Sequence, residues 1–128
     1  MKDLESREDI ELLVKSFYDK VIRDEVIGYI FNDVAKVDWD HHLPIMYNFW
    51  ESILFGKDTY LGNPMAVHIR LDQKENLKPE HFERWLELFQ KTVDEHFSGA
   101  TAEMAKLKAG SIAGVMQAKV NFHRNSRL

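Results

Sequence analysis

The sequence contains no cysteine. That excludes disulfides, thiolate metal sites and iron–sulfur clusters. No apolar run approaches the roughly 18 residues of a membrane span, and Met1-Lys2-Asp3-Leu4-Glu5-Ser6 lacks a signal peptide's apolar stretch. A basic excess is missing too. The net charge is −4 and the pI near 5.8, which argues against nucleic acid or an anionic membrane as the main partner. Glycine and proline are sparse, at six and three residues, and no glycine-rich phosphate loop is present. No segment alternates with period two, so strands are not expected. The simplest setting is cytoplasmic.

The chain does have length for one sizeable core and an unusual share of aromatics. Its 128 residues suit a single domain over 1–128. Three tryptophans, four tyrosines and eight phenylalanines make up 12% of it. They fill either a core or the walls of a flat apolar ligand site.

Four substantial helices are expected. Ser6 can cap a first helix reaching to about Val26, with Ile10, Leu13, Val14, Phe17 and Val21 inward and Tyr18 beside them. Asp38 can cap a second from Trp39 to Phe55, stopped by Gly56, with the stripe His42, Met46, Phe49 and Ile53 widened by Trp50 and Leu54. Pro44 falls in its first turns. Pro79 opens a third, with Phe82, Trp85, Leu86, Phe89 and Val93 inward, ending near Phe97. Thr101 can cap a fourth that carries Ala105, Ala109, Ile112, Met116 and Val120, followed by a polar frayed tail from His123. The connection between Gly56 and Lys78 is long and turn-rich. Connections of more than about 12–15 residues are usually functional. Within it, Pro64 can begin a short helix that sets His68 among Met65, Val67, Ile69 and Leu71.

The inward polar groups are then Tyr18, His42, His68 and Trp85. No carboxylate falls on an apolar stripe, which is poor for acid–base catalysis. The Glu-x-x-His repeats of a di-iron bundle and the His-Glu-x-x-His spacing of zincins are both absent. One histidine in an apolar setting, a second facing it, two neutral donors and many rings suit a haem site, with His68 on the iron. A packed core histidine is the plainer alternative. Neighbouring His41 is rotated roughly 100° from His42 about the helix, away from the stripe. His81, His96 and His123 read as exposed or helix-end residues. Arg70 could pair with a haem propionate or stand solvated.

The chain resembles the truncated haemoglobins, most closely their group III, from about Ile10 to Ala118. The resemblance rests on Phe17-Tyr18-x-Lys20-Val21, Ile30-Phe31-Asn32, Trp39-x-x-His42, Asn48-Phe49-Trp50, Gly62-Asn63-Pro64-x-x-x-His68 and Trp85-Leu86-x-Leu88-Phe89, in that order. The lack of a Gly-Gly pair near the first helix or His68 also looks like group III. The resemblance implies an all-α, two-over-two helical sandwich around a haem b, with a long irregular segment before the proximal-histidine helix. His68 would be the proximal iron ligand. Tyr18 and Trp85 would donate hydrogen bonds to dioxygen, nitric oxide or carbon monoxide on the distal side, and His42 would gate entry. Phe31 would wedge against the haem. Met46, Phe49 and Trp50 would wall the pocket; from the residues themselves, Arg70 and Ile112 are further candidate haem contacts.

Three functions follow for testing. One is reversible binding of diatomic gases, where two donors slow release and disfavour oxygen transport. Another is a haem enzyme, either a nitric-oxide dioxygenase or a peroxidase-like catalyst, fed by a separate reductase. The third is a cofactor-free helical interaction module.

Overall fold

Ser6 and Asp9 cap each other at the start of the first helix. The Ser6 hydroxyl accepts from the Asp9 amide, and the Asp9 carboxylate accepts from the amides of Glu5 and Ser6 at 2.9 and 3.2 Å. This is a capping box built on an aspartate, and it satisfies donors that the first turn leaves open. The structure is a computed structural model that describes residues 1–56 and 77–126, with side chains described through residue 120.

Helix α1 spans Arg7–Arg23 and buries Ile10, Leu13, Val14, Phe17, Tyr18 and Val21. It stops three residues short of Val26. The Asp24 carboxylate accepts from the amides of Val26 and Ile27 at 3.0 and 3.1 Å, and this local turn replaces the next helical bonds. A wide π-helical turn follows at Ile30–Val34, with the Ala35 amide donating to the Ile30 carbonyl at 2.7 Å.

Helix α2 spans Trp39–Phe55 and α3 spans Pro79–His96. Gly56 ends α2 with φ +69°, a left-handed conformation that glycine adopts without strain, and its amide donates to the Ser52 carbonyl. Asp38 occupies the N-cap position but makes no side-chain cap bond. Helix α4 spans Ala100–Ser126, so the expected frayed tail is helical almost to its end.

Thr101 does not cap α4. Asp3 does. Its carboxylate accepts from the amides of Thr101 and Ala102 at 3.0 and 2.8 Å, while the Ser98 amide donates to the Lys2 carbonyl. Those backbone amides hold the Asp3 carboxyl below its ordinary range.

The helices form two pairs, α1 on α2 and α3 on α4, with α1 also lying on α3 and α2 on α4. Among the described residues there is no strand. This is an all-α, two-over-two sandwich. Its centre is aromatic: Trp50 stacks on Phe89 at 4.7 Å, Phe89 on Trp85 at 5.9 Å, and Phe17 meets both Phe89 and Trp85 edge-on.

Two buried carboxylates correct the expectation that none falls on an inner face. Asp9 serves the capping box. Glu51 of α2 receives the Arg7 guanidinium of α1 at 3.1 Å, and the same group donates to Asn48 Oδ1 and lies over the Tyr47 ring. The charge is paired between helices and is absorbed by structure.

Candidate functional site

Tyr18 leaves α1 on its buried side and, besides neighbouring Phe17, meets three rings from other segments. Its ring lies 6.1 Å from Phe31 of the π-turn, 5.0 Å from Trp39 and 5.5 Å from His42 of α2. Burial pushes its phenol well above the ordinary value, so the side chain remains a protonated O–H donor at neutral pH. Among the described residues no hydrogen bond engages that hydroxyl.

His42 is half-buried, with its Nε2 buried, and sits edge-on to both Tyr18 and Trp39. His41 is exposed. The 100° step between neighbours on a helix accounts for this difference.

Trp85 of α3 stacks on Phe89 yet stays partly open, and no described residue accepts from its indole N–H. It lines a mostly apolar pocket, open on one side, together with Ile27, Ile30, Phe31, Leu77, His81, Phe82 and Met116. Phe31 belongs to both neighbourhoods: it packs near Tyr18 and walls the Trp85 cavity. The π-turn puts it there.

The remaining expected contacts divide. Met46 and Phe49 are half-buried and pack against the core, following His42 along α2. Deep burial on α2 falls instead on Tyr47, Trp50 and Glu51, the face turned to the core. Trp50 is 3% exposed and stacked on Phe89, so its visible work is packing between α2 and α3. Ile112 packs half-buried against the core, and Met116, one turn on, reaches the cavity wall. His68 and Arg70, and the short helix expected around them, lie outside the described residues.

His81 is a helix-end residue as expected, but not an exposed one. It is buried and lines the cavity. Its Nδ1 accepts from the Lys78 amide at 3.0 Å, so the ring helps to cap α3. The position three residues after Lys78 is where a capping side chain folds back, and that spacing was the available signal.

These residues fit a haem. Flat apolar walls, a phenylalanine presented by the turn, and two donors with no acceptor among the described residues lie close together. The chain belongs to the bacterial-like globins, whose family model matches residues 3–118. Membership of a globin family implies haem binding. The chain is similar to a group 3 truncated hemoglobin of Campylobacter jejuni, 30% identical over 115 residues that cover 88% of each chain. The crystal structure of a group III truncated hemoglobin from Campylobacter jejuni superposes with a TM-score of 0.81 at 30% identity, over 94% of this chain and 95% of that one. Among the described residues no helix is long and apolar enough to cross a membrane.

Proposed function

We propose that residues 1–128 form one domain that holds a b-type haem and reversibly binds dioxygen, with nitric oxide and carbon monoxide as further ligands. When bound, the haem supplies an iron with one open coordination position, and His68 is the residue assigned to hold it. Phe31, Met46, Phe49 and Met116 provide apolar contacts, and Arg70 is assigned to a propionate. The absence of cysteine favours a non-covalent haem and suits a cytoplasmic setting.

One observation carries this reading. The Tyr18 hydroxyl and the Trp85 indole N–H are both donors that no described protein group satisfies, and Phe31 lies against both regions. Two donors with no acceptor among the described residues, set on either side of Phe31, favour an electron-rich ligand between them. Tyr18 and Trp85 hold that ligand, and His42, packed on Tyr18, stands beside its route. The same donors slow release. Slow release favours chemistry on a held ligand over transport, which supports nitric-oxide dioxygenation or peroxidase-like turnover with a separate reductase as the second reading.

Visible absorption of the purified protein tests the proposal, ferric and then reduced, with and without carbon monoxide. A strong Soret band is expected, shifted by carbon monoxide and lost in His68→Ala. A colourless protein that takes up no added haemin refutes it. Nitric-oxide consumption with an added reductase separates binder from enzyme.

A further inference from the structure

Helix α4 is apolar on two sides. Its inner face buries Ala102, Ala105, Ala109, Ala113, Met116 and Val120. On the opposite side Met104, Leu107 and Val115 are 45%, 70% and 48% exposed. Met104 and Leu107 continue through Ser111, Gly114 and Ala118 in steps of three and four residues, the seam spacing of paired helices. A Cβ added at Gly114 would meet open space, so no described residue covers the seam there. An exposed leucine alone means little, but a helical seam of apolar residues marks a contact surface.

We infer that this outer face of α4 binds a second copy of the chain in an antiparallel, two-fold pairing centred near Ser111. Charge selects that occupant and that direction. The face carries Glu103 toward its N-terminal end and Lys119 toward its C-terminal end. Both are exposed; Glu103 also meets Lys106 of its own helix at 3.0 Å, a lysine it shares with Asp94. Positions equidistant from Ser111 oppose each other in such a pairing. Glu103 then faces Lys119 of the second copy, Leu107 faces its Val115, and Met104 faces its Ala118. A parallel pairing would set Glu103 against Glu103. The antiparallel one also aligns the helix dipoles favourably, and it is isologous, so it closes at two subunits. Small residues at 111, 114 and 118 let the backbones approach.

Sedimentation velocity of the haem-loaded protein over a concentration series tests this. A dimer is expected. Leu107→Glu should raise its dissociation constant about tenfold or more while leaving the Soret band and helical circular dichroism unchanged. Glu103→Lys should also weaken it, and adding Lys119→Glu to the same chain should restore it. A monomer at every concentration overturns the inference. So does a dimer indifferent to Leu107→Glu and to the charge exchange.

Discussion

Tyr18 and His42 meet edge to face, with ring centroids 5.5 Å apart and planes at 77°. The contact joins α1 to α2 and fixes both rings, since Trp39 also lies 5.0 Å from Tyr18 and 5.5 Å from His42. Three packed rings leave each little rotational freedom. A phenol held this way is already oriented before any ligand arrives, so little ordering entropy remains to be lost on binding.

That pre-orientation should appear in kinetics. Tyr18→Phe and Trp85→Phe each remove a donor worth about 1–1.5 kcal/mol as a net hydrogen bond. Each should speed dioxygen dissociation about 5- to 12-fold in stopped-flow measurements, and the pair about 30- to 150-fold if the effects add. Changes under twofold in both single variants would refute the distal assignment.

Trp50 provides a contrasting case. It stacks on Phe89 at 4.7 Å and is buried in the core. Trp50→Ala should lower unfolding free energy by about 3–5 kcal/mol through cavity formation, measured by denaturant titration. Ligand dissociation from the folded fraction should change far less than in Tyr18→Phe.

Gly99 is constrained from both sides. Its φ is +145°, and a Cβ there would run into the Asp3 carboxylate. Gly99→Ala should destabilise by about 1–3 kcal/mol, read as a lower Tm. Asp3→Ala should also lower Tm, and because both changes act on one cap, the double variant should lose less than the two single losses combined.

Acid should unfold the protein partly through Asp24. Burial pushes its carboxyl up, but hydrogen bonds from Arg84 and the amides of Ile27 and Val26 outweigh that and hold it below its ordinary value. A depressed folded-state value means this stability is present above the unfolded carboxylate pKa. It is lost as pH falls through the lowered folded one. Thermal unfolding followed from pH 7 downward should show Tm falling in the acid range, and less steeply in Asp24→Asn.

The helices were legible because each carries a local pattern. Trp39–Phe55 has an apolar stripe, an aspartate before it and a glycine after it, and Pro79 announces α3. The failures share a cause, which is satisfaction of a backbone group by an unforeseen side chain. Asp24 ends α1 early, Asp3 replaces Thr101, and His81 turns inward to accept from Lys78. The π-turn that presents Phe31 left no periodic trace either. At the site, Tyr18, His42 and Trp85 were legible as polar groups on apolar faces, whereas Trp50 was not separable from the pocket wall. A stripe identifies the inner side of α2 but not which inner residues face another helix and which face a cavity.

Asp3 and Ala102 are 99 positions apart in the chain, yet one hydrogen bond of 2.8 Å joins them. The last helix thus takes its N-terminal cap from the opposite end of the sequence. A ribosome must deliver all the residues between them before this latch can close, and loop closure over such a span comes late in folding. Until then the first turn of α4 stays frayed. Amide exchange at Thr101 and Ala102 should therefore report on completion of the entire sandwich more than on the local helix around them.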